Sequence, residues 1–364
     1  MTRHRRFYSG RCSSQGFSLI ELMVSLAIGL VILAAAFSAY LGASGATRMA
    51  EAQSRMNDDA QAALTILTQQ LRMAGNNPKR PNRDASCQRN PVYNPNIFPS
   101  LPCLDEATVS TGIGTATTTI SGLSGVGAFM VNGCDGPFAD PPSPLVSDID
   151  TLSCTSTTST LPDSIAVSYE ADKYNTVPTA TDQPTDCLGQ FIAPTTFTFA
   201  YGSTTAKSTA SSAITVANNQ FYIGTSAAIL SPSLYCKGNG ATAPQPLVEN
   251  IEDMQLKYGV VGPSAVSPTT PVTTAQVAGY LTANEFSSNM PDLLLPAARW
   301  AKVITVRICV VVRSERPVAI DINSAKYLNC EDTLISAPDL RLRRAYSTTV
   351  VLRNKRLNEP ATTP

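Results

Sequence analysis

The feature that most constrains this chain is an uninterrupted apolar run close to its N-terminus. No charged side chain occurs between Leu22 and Ala46, and the run exceeds the roughly 20 helical residues that are needed to cross the hydrocarbon core of a membrane. It is preceded by four arginines, Arg3, Arg5, Arg6 and Arg11. Because basic flanks stay on the cytoplasmic side, we expect a spanning helix with its N-terminus in the cytoplasm and the remaining chain outside.

An ordinary secretory signal is the alternative interpretation of this run. Such a signal has a shorter apolar region that ends in small residues at a cleavage site, and Ala43, Ser44 and Gly45 could serve as that site. The mature chain would then begin near Thr47 and carry no anchor. The length of the run favours the anchor, but length alone does not dismiss the secretory signal.

The charge balance argues against a surface that binds nucleic acid in general. The whole chain has 27 basic and 27 acidic residues, and removal of the four N-terminal arginines leaves 23 against 27. A nucleic-acid-binding surface would show a basic excess in the folded part. Hydrophobic residues make up 43% of the chain, which is typical of a folded protein rather than a disordered one.

The cysteines indicate an oxidising compartment. Of the nine, only Cys12 precedes the apolar run, so removal of a leader would leave an even number, as expected for disulfides. Zinc ligation is the weaker alternative, because no Cys-x-x-Cys pair is present. Our working hypothesis pairs sequence neighbours: Cys87 with Cys103, Cys134 with Cys154, Cys187 with Cys236, and Cys309 with Cys330.

A carboxylate, Glu21, lies at the very start of the apolar run. Charged residues within membrane spans are rare and usually have a partner, although a residue at the boundary can also reach water. The surrounding segment, Gly16-Phe17-Ser18-Leu19-Ile20-Glu21-Leu22-Met23-Val24, resembles the class III signal of type IV pilins and type II secretion pseudopilins. That family therefore suggests a partner for Glu21 and a way in which the residues before Phe17 are removed.

The resemblance implies processing by a prepilin peptidase. The enzyme would cleave between Gly16 and Phe17, N-methylate Phe17 and leave the apolar helix on the protein. A glycine suits such a site, since it lets an extended backbone approach the peptidase closely. The resemblance also implies that Glu21 pairs with the terminal amine of a neighbouring subunit and so helps to set the register of assembly.

Beyond the membrane, the sequence predicts a helix followed by an antiparallel sheet. Apolar residues recur at steps of three and four up to the stop signals Gly75 and Pro78, which predicts an amphipathic helix that packs on the protein's own sheet. This stripe consists of Met56, Ala60, Ala63, Leu64, Leu67, Leu71 and Ala74. Alternation of apolar and polar residues then predicts half-buried strands near 164–170, 197–201, 254–260, 302–313 and 346–352.

The fold class expected is therefore α+β and pilin-like, with a long N-terminal helix, an antiparallel β-sheet head, long loops and disulfides. Stretches rich in Ser, Thr, Gly and Pro predict surface loops at 107–128, 151–162, 203–216 and 263–275. The expected division is a leader (1–16), a transmembrane and filament-core helix (17–46), an amphipathic continuation (47–77) and a β-rich periplasmic or extracellular head (78–364).

Three later segments resemble the PilW type of minor pilin. They are Val248-Glu249-Asn250-Ile251-Glu252-Asp253-Met254-Gln255-Leu256-Lys257-Tyr258-Gly259-Val260, the valine-rich strand ending Val312-Arg313-Ser314, and Tyr346-Ser347-Thr348-Thr349-Val350-Val351-Leu352-Arg353-Asn354. The resemblance implies a subunit that takes part in type IV pilus assembly or initiation, in a tip or priming complex. Its implied partners are other minor pilins, the major pilin, the inner-membrane assembly machinery, the prepilin peptidase and a tip adhesin.

Two other functions share these features. A minor type II secretion pseudopilin of the J type has the same leader, helix and sheet, and a pilus-displayed adhesin would use residues 80–245 as its binding surface. The resemblance implies a single-pass inner-membrane protein that later reaches the pilus or cell surface. A signal-anchored periplasmic enzyme is the most distant alternative.

We expect no enzyme, no cofactor and no metal. The only histidine, His4, lies in the leader, so histidine-dependent catalysis and histidine zinc sites are excluded from the mature chain. Phosphate-binding glycine motifs are absent. Acid pairs in loops, Asp148 with Asp150 and Asp182 with Asp186, leave glycosidase chemistry or calcium binding as weak alternatives.

A basic set near the C-terminus raises the question of DNA contact. It comprises Arg341, Arg343, Arg344, Arg353, Lys355 and Arg356. These side chains could bind phosphates during DNA uptake. A charged sheet edge that deters strand pairing is the favoured interpretation.

Overall fold

A computed structural model describes residues 16–75, 107–110, 117–120, 131–139, 149, 152–155, 161–203, 206–226, 230–240, 243–261, 277–285, 300 and 303–354. The helix α1 spans Leu19–Met73. The strands are β1 (Ala107–Ser110), β2 (Thr117–Ile120), β3 (Val131–Cys134), β4 (Ser164–Glu170), β5 (Thr195–Ser203), β6 (Ala206–Ile214), β7 (Val216–Gly224), β8 (Ser233–Lys237), β9 (Gln245–Glu249), β10 (Ile251–Val261), β11 (Val277–Leu281), β12 (Val303–Arg313), β13 (Tyr327–Leu328), β14 (Leu334–Ile335) and β15 (Arg343–Val351).

The chain divides into two compact units, Met1–Glu51 and Ala52–Pro364. The described part of the first unit is helical from Leu19 onward. The second unit holds the rest of α1 together with every strand. The predicted α+β class, with a long helix, antiparallel sheets and disulfides, is confirmed.

Three sheets and a small hairpin make up the strands that are described in the second unit. One four-stranded sheet has the order β11-β10-β12-β15, and we call it the β10–β12 sheet. A five-stranded sheet has the order β3-β4-β7-β8-β9, and another four-stranded sheet has the order β2-β1-β5-β6. Strands β13 and β14 pair only with each other. All these pairings are antiparallel.

The predicted apolar stripe of α1 forms part of the main core. Six of its seven residues are buried and Leu64 is half-buried. They pack with apolar side chains from the five-stranded sheet, such as Phe221 and Tyr169, and from the β10–β12 sheet, such as Tyr258. The helix ends at Met73, and Gly75 takes a positive φ of 68°, the left-handed conformation that commonly follows a helix.

Two sequence predictions about strands were wrong. The pattern at 164–170 predicted a half-buried strand, yet every residue of β4 is buried. This strand lies inside its sheet, between β3 and β7, and its polar Ser164 donates to the Gly136 carbonyl at 2.7 Å. Likewise, β12 is buried on both faces. One face carries Ile304, Val306, Ile308, Val310 and Val312, and the other carries Cys309 and Val311.

Two predicted loops contain strands. The stretch 107–128 holds β1 and β2, and the stretch 203–216 holds β6. Serine and threonine obscured any apolar alternation there, but backbone pairing with β5 orders β1 and β6 into a sheet. The loop predicted at 263–275 lies outside the described residues.

Asp163 ties the five-stranded sheet to the β10–β12 sheet. Its backbone N–H donates to the Met254 carbonyl at 2.7 Å, and its carboxylate accepts the N–H groups of Leu256 at 2.7 Å and Gly136 at 3.2 Å. Burial raises the pKa of this carboxyl to about 8 despite those two bonds, which act to lower it. Asp163 therefore serves as a buried link between sheets.

Candidate assembly site

The N-terminus of α1 is closed by a reciprocal pair of hydrogen bonds. Ser18 Oγ accepts the N–H of Glu21 at 3.3 Å, and Glu21 Oε2 accepts the N–H of Ser18 at 3.4 Å. This arrangement is a capping box, in which two backbone donors that the helix cannot satisfy find partners. The Ser-x-x-Glu spacing that signals this capping box is visible in the sequence but was not among the predicted features. Glu21 thus has a partner within its own chain.

The bond between Gly16 and Phe17 lies just before this cap. Both residues are exposed and neither is helical. A side chain added at Gly16 would meet nothing within 4 Å among the described atoms, so the packing of the chain itself does not require a glycine there. Cleavage at this bond and methylation of Phe17 stay predictions.

The apolar part of α1 is uncovered. It is the one helix in the described residues that is long and apolar enough to cross a membrane, and none of its most apolar window is buried. Large side chains such as Leu26, Ile32 and Phe37 are mostly exposed. A surface of this kind is stable only when lipid or other apolar helices cover it.

Hydroxyl groups on this segment are satisfied within the helix. Ser25, Ser38 and Ser44 donate to the carbonyls three residues earlier, at 3.0, 2.8 and 2.9 Å, and Thr47 donates to the carbonyl of Ala43 at 2.9 Å. An unpaired polar group in hydrocarbon costs several kcal/mol. The internal bonds therefore allow these four residues to lie in an apolar medium.

The remainder of α1 is attached to the strands by polar side chains. Gln70 accepts from Asn219 at 2.9 Å, Asn57 accepts from the Tyr346 hydroxyl at 2.6 Å, and Asp59 accepts from Asn250 at 3.4 Å. Their partners come from both the five-stranded sheet and the β10–β12 sheet or its margin. These bonds fix the rotation of the helix in addition to its apolar packing.

The C-terminal end of α1 is also tied down. Asn354 donates to the carbonyls of Arg72 and Ala74 at 2.9 and 3.2 Å. The last carbonyls of a helix have no partner within it, so this amide acts as a cap supplied from the segment that follows β15. The sequence carried no signal for this contact.

Three disulfides occur among the described residues. Cys134 bonds to Cys154, Cys187 to Cys236, and Cys309 to Cys330, with Cα–Cα distances of 5.5, 6.5 and 5.8 Å. Each pair joins neighbours in the cysteine sequence. The remaining expected pair, Cys87 with Cys103, lies outside the described residues.

Of the two acid pairs in predicted loops, Asp182 and Asp186 are described, and both make contacts within the chain. Asp182 pairs with Lys173 at 3.1 Å, while Asp186 accepts the backbone N–H groups of Leu188, Gln190 and Gly240. No group of three or more histidine, cysteine or acidic residues suited to a metal occurs in the described part. Asp148 and Asp150 lie outside it.

A groove of about 710 Å³ runs between α1 and β15. Its lining is mainly amide, hydroxyl and apolar: Gln61, Leu64, Thr65, Thr68, Gln69, Arg72, Met73, Ser347 and Thr348. No carboxylate, histidine or thiol is among these lining residues, so its serine and threonine hydroxyls have no general base of the usual kind beside them in the lining.

The C-terminal basic set is partly neutralised. Arg343 is buried and pairs with both Glu252 and Asp339, and its partners raise its pKa further although burial lowers it. Arg341 pairs with Asp339 at 3.5 Å and donates to the Ser314 carbonyl. Arg344 lies over the ring of Tyr346. Lys355 and Arg356 lie outside the described residues.

The chain matches two protein-family models. Residues 11–37 match the prokaryotic N-terminal methylation motif, and residues 220–354 match the type IV pilus-assembly protein W family, PilW. These regions contain the segment from Gly16 to Val24 and the three later segments that carry the resemblance, which is confirmed. No curated protein sequence matches the chain.

A solved structure similar to the chain is the type IV-like pilin TTHA1219 from Thermus thermophilus. The identity is 12%, the match covers 54% of this chain and 80% of that one, and the TM-score is 0.23.

Proposed function

We propose that the chain is a minor pilin of the PilW type and acts in the assembly or initiation of a type IV pilus, in a tip or priming complex with other minor pilins. Pilins are structural subunits rather than enzymes. The observation that carries the proposal is the exposed apolar part of α1, which requires lipid before assembly and neighbouring helices afterwards.

Orientation and processing follow from the same segment. The four N-terminal arginines retain the leader in the cytoplasm and the second unit is exported, which agrees with its disulfides. The prepilin peptidase then cuts between Gly16 and Phe17 and methylates Phe17. Retention of α1 keeps the protein in the inner membrane until it enters the pilus.

Glu21 changes partners in this scheme. In the separate subunit it bonds to the Ser18 N–H as part of the capping box. After cleavage, the amine of Phe17 on a neighbouring subunit offers a charged partner, and a charge-assisted bond is stronger than one to a neutral amide. Glu21 then contributes to subunit register in the filament core.

The position at the tip rests on steric grounds. The second unit begins at Ala52 and extends to the end of the chain, and a head of that size is difficult to repeat along a tightly packed shaft. Other minor pilins, the major pilin and the inner-membrane assembly machinery are its partners, and a tip adhesin is a further one. Motility, adhesion or DNA uptake would be downstream consequences.

The N-terminal peptide of the mature protein tests processing. Its mass should correspond to a chain that begins at methylated Phe17. A start near Thr47, or retention of Met1, would contradict the proposal.

Deletion of the gene should abolish piliation while type II secretion continues, and the reverse result would identify a pseudopilin.

The role of Glu21 is tested separately. Glu21→Ala should be cleaved normally but enter sheared filaments poorly, whereas Glu21→Asp, which keeps the charge, should recover part of the incorporation. Normal incorporation of the alanine variant would remove Glu21 from the assembly mechanism without affecting the assignment of the leader.

A further inference from the structure

The segment 314–342, between β12 and β15, is built with its large apolar residues outside. Its small interior consists of Ala319, Ala325 and Ala337, with Leu342 packed against them. Its exposed large apolar residues are Ile320, Ile322, Leu328, Leu334 and Leu340. Proteins normally bury the large side chains first. We refer to these five residues as the apolar face and to 314–342 as the lobe.

Backbone pairing brings members of the apolar face together. Leu328 and Leu334 lie directly opposite each other in the β13–β14 hairpin, so both project from the same side. The N–H groups of Val318 and Ala319 both donate to the Leu340 carbonyl at 3.0 Å, which holds Ile320 close to Leu340 in the backbone. Two such pairs of exposed apolar residues on one lobe indicate an interaction surface more than scattered single residues do.

The lobe is fixed before any partner arrives. The Cys309–Cys330 disulfide ties it to β12, and Asp339 pairs with Arg343 at 2.7 Å. Ser314 Oγ donates to the Arg316 carbonyl and accepts the Leu342 N–H, which closes the base of the lobe. A surface that is already ordered loses less entropy on binding.

The charges beside the apolar face indicate the kind of partner. The whole lobe has five acids against three bases, Arg316, Lys326 and Arg341. Glu315 and Asp339 pair with arginines, whereas no ion pair involves the exposed acids Asp321, Glu331 and Asp332 in the described part of the chain. Bonds from Ser324 lower the pKa of Asp321, which keeps it ionised. Membrane-surface segments favour Lys, Arg and Trp instead, so a protein surface with a basic border fits better than lipid.

The lobe also lies beside the first residues of α1 in the second unit. Glu315 pairs with Arg55 at 2.7 Å, and Arg55 follows the end of the apolar run, Ala46, by only nine residues. Under the proposed function the partners of this chain are other pilin subunits, and one of them is the occupant that we assign to the apolar face.

We propose that the apolar face docks another pilin subunit, through a surface that is apolar at its centre and bordered by lysine or arginine. This inference rests on the proposed function and names a contact through which it would operate. Truncation of a few central apolar side chains commonly removes most of the binding energy of an interface.

A photo-crosslinker placed in the full chain, in its own host, tests the identity of the occupant. Leu334 is replaced by p-benzoylphenylalanine, and the matched control carries it at Leu230, which is 85% exposed and lies outside the lobe. Each of the host's other prepilin-type subunits carries its own epitope tag. We expect an adduct with one tagged subunit at Leu334 and none above background at the control position.

Every other outcome overturns the proposal. An adduct with a second copy of the chain would indicate self-association, lipid adducts alone would indicate membrane contact, and equal yields at both positions would indicate no docking surface. If the leader is cut after Gly16 and pili form while Leu334 gives no subunit adduct, only this inference fails. An uncut leader would remove the proposed function itself.

A second pair of variants measures the contribution of the surface. Ile320→Ser with Leu334→Ser should lower co-purification of the tagged subunit about tenfold, whereas Val177→Ser with Leu230→Ser, at exposed positions elsewhere, should leave it unchanged. Unaltered migration on non-reducing gels shows that the disulfides are intact. Asp321→Asn with Asp332→Asn should weaken co-purification less, and chiefly at low salt.

Discussion

The two parts of α1 share one backbone geometry but have opposite surroundings. Up to Glu51 the helix buries none of its residues, while from Met56 onward one face lies in the main core. Both parts satisfy their backbone groups internally, so the difference lies in what covers the side chains. The second part is stabilised by its own chain, and the first part depends on a medium that the chain does not supply.

The largest expected effect is the loss of stability caused by a cavity in the second part of α1, which the first part should not show. Leu67→Ala should lower the free energy of unfolding of the second unit by about 2 to 5 kcal/mol, since Leu67 is fully buried. Leu33→Ala, in the exposed part, is the matched control and should leave it unchanged. Denaturant unfolding of the full chain in detergent, followed by near-UV circular dichroism, measures both. Equal effects would mean that the two parts are not energetically distinct.

The converse experiment perturbs the exposed part alone. Leu33→Arg should cost about 3 kcal/mol in membrane insertion, and should reduce the fraction of protein in the membrane pellet. Head stability in detergent should stay at the wild-type value. Gln61→Arg, on the exposed face of the second part, provides the control that should insert normally.

The pH dependence of stability should belong to the second unit. Burial raises the pKa of Asp163 to about 8 from an unfolded value of 3.8, so the folded state binds this proton more tightly. Its stabilising contribution is complete below the unfolded pKa and is lost as the pH rises through about 8. The free energy of unfolding should therefore contain a contribution that falls as the pH is raised from 5 to 9.

Asp163→Asn should remove this pH dependence of the free energy of unfolding. Asp182→Asn, at an exposed position, should leave it unchanged. A slope that is unchanged in the Asp163 variant would assign the pH dependence to other groups. Since the asparagine amide faces backbone N–H donors, the variant should also be less stable at low pH.

The smallest effect concerns the beginning of the exposed part. Ser18→Ala removes one half of the capping box and should cost the helix about 1 kcal/mol. Hydrogen exchange at the amides of Ile20 and Glu21 in micelles should accelerate, whereas exchange near Leu67 should not. Ser18→Thr should restore protection, because threonine also caps helices. Faster exchange along the whole helix would contradict the division into two parts.

Some features of α1 could be predicted from the sequence, whereas one of the strands could not. The spacing of Met56, Ala60, Leu67 and Leu71 predicted the buried face of α1 correctly, because helical periodicity is a local property. The capping box of Ser18 and Glu21 was equally local and could have been found. The serine-rich strand β6 could not, because its order depends on pairing with β5 rather than on its own composition.

The sequence by itself determined the membrane-length apolar run, its flanking arginines, the stripe on α1 and the family resemblance. All of these depend on residues that are close together in the chain. Only the tertiary structure decided that Asp163 links two sheets, that Asn354 caps the far end of α1, and that the lobe exposes five of its leucines and isoleucines. Those features arise between distant segments, whose burial and hydrogen-bond partners are settled only when the chain packs.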